Sequence, residues 1–574
     1  MLGTLVTNSL RAALYPISAA RRATLAPKGT WLTLTLDGAV TEIERPFSRF
    51  THSLQAMLRG GSAKPGTTLS VLRELAEAAA ADPNVEGVLL RIETLQCGSA
   101  VATGLREVIA SLRASGKRVV AWLPGGASTR ELYVALAADT VLATPQSGLG
   151  PLGYAAQTTF LRGLLARGGL EAEVYARREF KSAAEQFSRD SYSEANKVQL
   201  GALLDRLHEA LVAAIVEGRK VDEHRAKAMV ENSPYRAADA VREGLLDGLA
   251  YEDELPTKLG AAGKPTLVKA GLYLALSRVM RFEGLWNGPR VGVVEVRGAI
   301  VSSSQSSMSG VADARRVGAA LRSARANPRI GAVVLYVDSR GGSALASDLI
   351  AHEVERLREK KPVVAYFSDV AASGGYYVAA LAQEIVAQPL TVTGSIGVIA
   401  MRLLAQRMLE KLGMTHEVIR RGERADLMSP FRGWSEDERA AFDREIDGTY
   451  NDFVSIVARG RNRDVAEIEP LARGRVYAGS DAHALGLVDH LGGMDVAIAR
   501  ARALAGTPLG DRPVVVTPPR GTVDPPEPAA PVRALLAFLE AQSMATRAET
   551  DLLRMSIASP KERLFAWDGL AGDL

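Results

Sequence analysis

Short apolar runs alternate with amphipathic stretches along much of the chain. Between residues 333 and 388 the runs VVLYVD, VVAYF and EIVAQ are almost continuously apolar, and the stretches LASDLIAHEVERLREK and GGYYVAALAQ lie between them. Continuous apolar runs of this length predict strands that are buried on both faces, and the longer stretches have the spacing of helices. Strands that alternate with helices predict βαβ units in a parallel sheet with right-handed crossovers.

The same alternation occurs twice. The matched segments are DPNVEGVLLRIE (82–93) with NPRIGAVVLYVD (327–338), KRVVAW (117–122) with KPVVAY (361–366), and GLLDGL (244–249) with GLVDHL (486–491). They start 245, 244 and 242 residues apart, so the register drifts only by short insertions. Similarity at a nearly fixed spacing indicates a repeated unit. The sequence therefore predicts two α/β domains of one type, over residues 31–254 and 291–504.

The rest of the chain is predicted to consist of extensions. These are an N-terminal amphipathic segment (1–30), a helical linker (255–290), and a proline-rich linker with a helical tail (505–574). Arg11 and Pro16 interrupt the apolar run of the first segment, so we expect it to pack on the protein or to rest on a membrane surface. No window reaches the roughly 20 apolar residues that a membrane-spanning helix needs.

Composition narrows the chemistry. The 574 residues are 47% hydrophobic and 23% charged, as in globular proteins, and a net charge of +4 is too small to indicate nucleic-acid binding. Cys97 is the single cysteine, and the seven histidines form no metal-binding spacing, so the sequence predicts no disulfide, no metal and no cofactor. Catalysis would have to use hydroxyls, amines, carboxylates or backbone groups.

A candidate nucleophile lies in the second repeat. The segments DSRGGS (338–343) and SDVAASGG (368–375) each follow a predicted strand and precede a predicted helix, which places them at the same edge of the sheet. Ser373 stands at a helix start, where a serine is most often an N-cap. The two glycines that follow allow a sharp turn and a close approach of substrate to the backbone. The neighbouring Gly341 and Gly342 could turn N–H groups to the same point, which is what acyl transfer needs.

A candidate base emerges from comparing the repeats. No histidine lies in a recognisable loop beside either motif, but a lysine can act as base if burial lowers its pKa. Thr129 corresponds to Ser373 in the first repeat, where both glycines are missing. Conversely, EVYARREFKSAAEQF (173–187) pairs with EVIRRGERADLMSPF (417–431), so that Lys181 corresponds to Ala425. The second repeat thus carries the serine turn, and the first repeat carries the lysine.

These motifs resemble those of the signal peptide peptidase A family in its long, two-repeat form, which consists of serine proteases of the Clp/crotonase-like fold. The matching segments are REFKSAAE with Lys181, YVDSRGGS with Gly342, DVAASGGYYVAA with Ser373, and VTGSIGV with Ser395. The resemblance spans residues 31–504. It implies a tandem repeat of two crotonase-like domains with parallel sheets and helical extensions.

The resemblance also implies a site and partners. Ser373 would be the nucleophile and Lys181 the general base, and the N–H groups of Gly342 and Gly374 would form the oxyanion hole. The further neighbours expected for the substrate or the lysine are Gly341, Gly375, Gly394 and Ser395. The implied substrates are apolar, extended peptides such as the remnants of cleaved signal peptides, and the implied assembly is a homotetramer.

Two other functions fit the same fold. A crotonase-like enzyme would use glycine N–H groups to hold a thioester enolate, and would need a catalytic carboxylate near those glycines. A non-catalytic scaffold is the other alternative, and it is favoured if Arg340, which stands where relatives usually have proline, closes the oxyanion loop.

Overall fold

The computed structural model describes residues 16, 20, 24–43, 67–260, 265–280, 288–302, 310–518 and 564–565. Most of the predicted N-terminal segment and of the predicted C-terminal tail lies outside these residues. The chain divides into two compact units, one made of Met1–Ala155 and Leu204–Asn287, the other of Ala156–Leu203 and Gly288–Asp573.

The strands in the described residues are, in chain order, β1 (Thr30–Thr41), β2 (Thr67–Thr68), β3 (Val85–Gln96), β4 (Arg118–Leu123), β5 (Thr140–Ala143), β6 (Gly148–Leu149), β7 (Glu171–Ala176), β8 (Tyr235–Arg236), β9 (Gly248–Leu249), β10 (Leu267–Lys269), β11 (Arg290–Arg297), β12 (Ala299–Val301), β13 (Val311–Asp313), β14 (Ile330–Ser339), β15 (Gly342–Ser343), β16 (Val363–Ala372), β17 (Glu384–Ala387), β18 (Val392–Gly394), β19 (Ile399–Leu404), β20 (Val476–Ala478), β21 (His490–Leu491), β22 (Gly510–Val515) and β23 (Leu564–Phe565).

The α-helices in the described residues are α1 (Leu69–Ala80), α2 (Ser99–Ala114), α3 (Thr129–Ala135), α4 (Arg162–Gly168), α5 (Glu185–Ser188), α6 (Glu194–Arg219), α7 (Glu223–Glu231), α8 (Ala237–Arg242), α9 (Leu255–Leu259), α10 (Ala270–Met280), α11 (Ala314–Ala326), α12 (Ala344–Arg358), α13 (Gly374–Ala379), α14 (Gln406–Lys411), α15 (Glu436–Arg461), α16 (Val465–Ile468), α17 (Gly479–Ala484) and α18 (Met494–Ala505). Short 3₁₀ helices cover Glu252–Glu254 and Glu469–Leu471.

Each unit contains a predominantly parallel sheet. In the first unit the strand order is β10-β1-β3-β4-β5-β9, and every neighbouring pair is parallel. The second unit repeats this arrangement, with the strand order β11-β14-β16-β17-β21. These strands correspond in turn to β1, β3, β4, β5 and β9, and again every neighbouring pair is parallel. The predicted α/β fold with two copies of one parallel unit is confirmed.

Helices cover the sheet of the second unit because its central strands are apolar on both faces. Residues 332–337 of β14 are fully buried, and Val333, Leu335 and Val337 share one core with residues of α12 and α15. The apolar run that predicted β14 thus reflects a strand whose central residues are buried on both faces. The helix that follows Ser373 is shorter than its sequence indicated, since α13 ends at Ala379.

The stretch Ala156–Leu203 belongs to the second compact unit, although by sequence it is part of the first repeat. It contributes β7, which forms an antiparallel ladder with β19 running from the Ile399–Ala176 pair to the Leu404–Glu171 pair. The chain then reaches Lys181 within five residues of the end of β7. The candidate lysine and the candidate serine therefore lie in the same compact unit.

The two candidate loops lie together at the carboxyl edge of the second sheet, as predicted. β14 and β16 are parallel neighbours, and Ser339 is paired with Ala371 just before the two loops begin. β15 pairs with β12 on one side and, antiparallel, with β23 on the other. None of the described helices is long and apolar enough to cross a membrane.

Candidate active site

Ser373 occupies a strained turn between β16 and α13. Its backbone has φ 57° and ψ −120°, a conformation that few non-glycine residues adopt, and its N–H donates to the carbonyl of Gly394 at 2.9 Å. The side chain is fully buried, and its hydroxyl caps no backbone N–H of α13. A serine at a helix start most often serves as an N-cap, and Ser373 does not. The strained backbone therefore points to a functional requirement on this hydroxyl.

Two glycines let the start of α13 approach the β14–β15 loop. A Cβ on Gly375 would lie 2.5 Å from the carbonyl oxygen of Ser339, and a Cβ on Gly374 would lie 2.5 Å from Ser347 Oγ. The same Cβ position at Gly374 is 3.2 Å from the backbone nitrogen of Gly342. Gly374 therefore lies against the backbone nitrogen of Gly342, and the N–H of Gly374, at a helix start, has no acceptor within its helix.

The β14–β15 loop needs its own two glycines. Gly341 and Gly342 have φ of +104° and +154°, and a Cβ on Gly342 would lie 2.1 Å from the carbonyl oxygen of Ile300. The carbonyl of Gly341 accepts from the N–H of Ile300 at 2.9 Å, and its N–H donates to Ser339 Oγ at 3.1 Å. Ser339 Oγ in turn donates to the carbonyl of Gly298 at 2.6 Å. The loop is thus held in place on both sides.

Lys181 extends its side chain to Ser373. Nζ lies 2.9 Å from Ser373 Oγ, 2.8 Å from Ser395 Oγ and 2.8 Å from the carbonyl oxygen of Ser395. Lys181 is 3% exposed, and both serines are fully buried. Ser395 has φ 51°, and its N–H donates to the carbonyl of Arg475 at 2.6 Å, which fixes it beside the lysine.

Burial lowers the pKa of Lys181 to about 7, because the ammonium form loses its hydration. Arg177 and Arg178 lie close to Lys181 in the chain, and their positive charges could also lower this pKa by repulsion. In the structure these arginines instead bind carboxylates, Arg177 with Asp443 and Arg178 with Glu469 at 3.2 Å. Desolvation is therefore the cause of the lowered pKa.

Two further glycines that the motifs did not single out make room for Lys181. A Cβ on Gly474, whose φ is +78°, would lie 2.7 Å from both the Cβ and the backbone nitrogen of Lys181. A Cβ on Gly397 would lie 3.3 Å from Lys181 Cδ and 2.9 Å from the Cα of Gly474. Gly397 belongs to the VTGSIGV segment already matched to the family, which was the available signal for it.

Gln199 was also missed, and it fixes the backbone around the lysine. Its side-chain nitrogen donates to the carbonyl of Phe180 at 3.1 Å and to Ser182 Oγ at 2.8 Å, and its oxygen accepts from the N–H of Val476 at 3.3 Å. The side chain is fully buried. The corresponding residue of the second repeat is Ala441, so this position shows the same asymmetry between repeats that identified Lys181.

The position of Thr129 agrees with the loss of a nucleophile turn in the first repeat. Its hydroxyl donates to the carbonyl of Gly153 at 3.0 Å, so it has a structural partner. Among the described residues there is no cluster of three or more His, Cys, Asp or Glu side chains that would hold a metal ion.

The sequence profile of peptidase family S49 matches residues 111–264 and 355–507, which together make up more than half of the chain. The chain belongs to peptidase family S49. One copy of the family pattern falls in each repeat, which confirms the resemblance to the long, two-repeat form of signal peptide peptidase A.

Characterised relatives match most of the S49 chain. It is 32% identical to the chloroplastic serine protease SPPA of Arabidopsis thaliana, over 87% of this chain and 73% of that protein. It is 27% identical to protease 4 of Haemophilus influenzae, over 82% and 78% of the two chains. A solved ClpP1 mutant from Listeria monocytogenes covers 36% of this chain and 94% of its own, with a TM-score of 0.23 and 13% identity.

Family membership decides among the three functions that the sequence left open. The S49 chain is a serine-type peptidase, and the acyl-thioester enzyme and the non-catalytic scaffold are set aside.

Proposed function

We propose that this peptidase cleaves extended apolar peptides, such as the remnants of signal peptides, with Ser373 as nucleophile and Lys181 as general base. The observation that carries the proposal is the 2.9 Å contact between Lys181 Nζ and Ser373 Oγ in a fully buried setting. With a pKa of about 7, a large fraction of Lys181 is the free amine at neutral pH.

The three contacts of Nζ match the hydrogen-bonding capacity of a neutral amine. Such an amine has two N–H donors and one lone pair. The two oxygens of Ser395 can accept the two N–H groups, and the lone pair is then directed at the hydroxyl hydrogen of Ser373. Ser395 therefore orients the amine as a base.

In the acylation step, Ser373 Oγ attacks the scissile carbonyl carbon and its proton passes to Lys181 Nζ. The carbonyl oxygen becomes an oxyanion that the N–H groups of Gly374 and Gly342 stabilise. The C–N bond then breaks as Lys181 returns the proton to the leaving amine, which leaves an acyl-enzyme and a neutral lysine. Water attacks the ester with Lys181 again as base, which releases the acid product and restores Ser373.

The substrate is proposed to bind as an added β-strand near Gly342 and Gly394. In support, the outer edge of β15 already accepts an extended antiparallel segment, since Gly342 pairs with Phe565 and Ser343 with Leu564. Backbone pairing of this kind gives affinity that tolerates many sequences. Peptides that are N-methylated near the scissile bond should therefore be cut poorly, and equal rates for methylated and unmodified peptides would refute strand addition.

The preference for apolar substrates is supported by α12, which begins directly after β15. Leu345 and Leu349 lie about one turn apart on this helix and are 52% and 48% exposed. Contact between these leucines and apolar side chains of a bound peptide would remove apolar surface from water and so stabilise the complex. Replacing both leucines by serine should raise KM for apolar peptides more than it lowers kcat.

A fluorophosphonate probe followed by intact-protein mass spectrometry tests the catalytic assignment. We expect one adduct on the wild-type protein and none on Ser373→Ala. We expect Lys181→Ala to label far more slowly at pH 8, because the serine loses its base. Labelling of Ser373→Ala at the wild-type rate would overturn the assignment.

The family resemblance further suggests a homotetramer, and we propose this assembly for the active enzyme. An enclosed site would admit extended chains and exclude folded proteins. Light scattering should give about four times the chain mass at working concentration. A fully active monomer under those conditions would contradict the proposal.

Contact with a membrane surface is proposed as well, because signal peptide remnants arise in membranes. The apolar stretch that begins with β10 supports it, since Leu267 and Leu272 are 40% and 47% exposed. Flotation with anionic vesicles should carry wild-type protein upward, and absence of flotation at low salt would refute the contact.

A further inference from the structure

Residues 415–420 are the sequence counterpart of strand β7 in the second repeat. The repeats are related here by an offset of 244 residues, so β7 corresponds to residues 415–420 and β19 corresponds to residues 155–160. β7 and β19 pair over six residues in an antiparallel ladder. In the described chain, neither of the two counterpart segments belongs to a strand or a helix.

The segment 415–420 is open to solvent. Residues 411–425 are all exposed, whereas most of β7 is partly buried. Ile419 is 86% exposed and Val418 is 43% exposed. Among the described residues, no backbone carbonyl accepts a hydrogen bond from the N–H groups of 415–420. The segment therefore offers both the backbone groups and the apolar side chains of an edge strand without a partner.

Side chains around the β7–β19 ladder show what such a partner would look like. Glu173 binds Arg439 at 3.1 Å, on helix α15. Arg177 binds Asp447 of the same helix at 2.6 Å. Tyr175 packs against Trp434, with ring centroids 5.0 Å apart.

Each of these contacts has a counterpart pair of matching character. Helix α15 corresponds to α6 with an offset of 242, as WSEDERAAF (434–442) and YSEANKVQL (192–200) show. The counterpart pairs are Glu417 with Lys197, Arg421 with Asp205, and Ile419 with Tyr192. These two ion pairs keep their signs, and the aromatic pair becomes an apolar side chain against a tyrosine. The further ion pairs Glu173–Arg402 and Arg177–Asp443 are not repeated, since Thr158 and Gly201 stand at the positions that correspond to Arg402 and Asp443.

The surface around residues 155–160 is available for such contacts. Asp205 is exposed, and Lys197 is 55% exposed with Glu194 of its own helix as an ion-pair partner at 2.7 Å. Tyr192 has a buried hydroxyl that finds no hydrogen-bond partner among the described residues. Its ring packs edge-to-face on Phe160 at 5.3 Å, so the apolar side of this surface is already formed.

We propose that residues 415–420 of one copy of the chain pair antiparallel with residues 155–160 of a second copy, which reproduces the β7–β19 ladder between molecules. The partner is a second copy because the two complementary surfaces are found on this chain. Since they are different surfaces, the contact is head-to-tail and repeats from copy to copy until a ring closes. The inference rests on the proposed homo-oligomer and names the surface that builds it.

The register of the intermolecular ladder follows from the intramolecular one. Val174 is opposite Met401 in the β7–β19 ladder. The corresponding residues are Val418 and Gln157, so these two should be opposite each other across the contact between copies. A contact of any other kind would have no reason to bring these two positions together.

Disulfide trapping tests this register. Val418→Cys and Gln157→Cys are made in separate chains, each in a Cys97→Ser background, and the two proteins are mixed and oxidised. A covalent dimer should form in the mixture and not in either protein alone. The matched control replaces Gln157→Cys by Thr159→Cys, which lies two residues out of register, and should cross-link at least tenfold less.

Mass measurements at micromolar concentration test the contribution of the side chains. Ile419→Asp should raise the dissociation constant of the assembly at least tenfold, while Val465→Asp, at an apolar position that is 50% exposed on α16, should leave it unchanged. Glu417→Lys should weaken the assembly, and the double variant with Lys197→Glu should recover most of the loss.

The outcomes distinguish failure of the proposed contact surface from failure of the proposed function on which it rests. A multimeric wild type that forms no mixed disulfide and is insensitive to Ile419→Asp would overturn the ladder and leave the tetramer standing. A monomeric wild type would overturn both. Fluorophosphonate labelling of Ser373 in the same samples reports the catalytic assignment separately, because the proposed ladder contains no residue of the dyad.

Discussion

Replacing Lys181 with methionine should abolish turnover and at the same time stabilise the protein. Methionine has similar length and no charge, so it can fill the channel that Gly474 and Gly397 leave open. The perturbation removes a buried group whose ionisation opposes folding. It therefore tests whether the low pKa arises from burial.

The expected magnitude follows from the pKa. Lys181 has a pKa of 10.5 when solvated and about 7 in the folded protein, and each pH unit between these values is worth about 1.4 kcal/mol. Burial of the lysine thus costs about 5 kcal/mol of the free energy of unfolding at pH values below 7. Methionine leaves the hydroxyls of Ser373 and Ser395 without this partner, which costs about 1–3 kcal/mol. The net gain should be about 2–4 kcal/mol.

The gain should depend on pH in a defined direction. Below pH 7 both the folded and the unfolded wild type are protonated at Lys181, so the full penalty is present. Between pH 7 and 10.5 the unfolded state binds one more proton than the folded state, so the stability of the wild type rises with pH. Near pH 10 the penalty has almost vanished, and the methionine variant should be equal to the wild type or less stable.

Scanning calorimetry at about pH 6 and about pH 10 measures this difference. With roughly 2 °C for each kcal/mol in a unit of this size, Lys181→Met should raise Tm by about 4–8 °C at the lower pH and lose that advantage at the higher one. Lys227→Met, at an exposed lysine, is the control and should shift Tm by less than about 1 °C at both pH values. A Tm difference that is the same at pH 6 and pH 10 would refute the argument that burial sets the pKa.

The other predictions concern activity. The kcat/KM of the wild type should rise with a single-proton limb centred near pH 7, by about tenfold per pH unit below it, and Lys181→Arg should be inactive because guanidinium keeps its proton. Ser373→Ala and Lys181→Ala should each reduce kcat to background, and if the double variant were much slower than either one, the two residues would not act as a unit. Gly474→Ala should lower kcat about 100-fold or more by displacing the lysine; Gly422→Ala, which also has positive φ but open space around it, is the control and should retain activity. Thr129→Ala should retain wild-type kcat/KM in the same peptide assay, and a loss of more than about tenfold would show that the turn at Thr129 takes part in catalysis.

Much of the fold was predictable because it depends on local pattern. Continuous apolar runs bounded by turns predicted β14 and β16, since a strand buried on both faces needs such a run. Once both strands are parallel neighbours, the loops after them must lie at one edge, which predicted that Ser373 and Gly342 are close. The N-cap frequency of serine was the competing local rule, and the strained turn with its two glycines overrode it.

The position of Lys181 is a different case. The asymmetry between the repeats indicated this residue. Its contact with Ser373 could not be predicted from local pattern, because 192 residues separate the two. The same asymmetry between the repeats distinguishes Gln199 from its counterpart Ala441. The helix that carries Gln199 is mostly apolar on its buried side, where the amides of Asn196 and Gln199 are buried as well. Amide side chains on an otherwise apolar helix face were the signal.

The sequence alone determined that the chain is a duplicated α/β fold, and it indicated which repeat carries the nucleophile turn and which the lysine. The periodicity of apolar residues and the positions of glycines are local properties, so they can be read from the sequence. Only the tertiary structure decided that Ala156–Leu203 packs with the second unit, that Nζ lies within 3 Å of both hydroxyls, and that desolvation, not Arg177 or Arg178, lowers the pKa. Each of these properties depends on atoms that are distant in the sequence. In particular, a side chain is desolvated only once those atoms are packed around it.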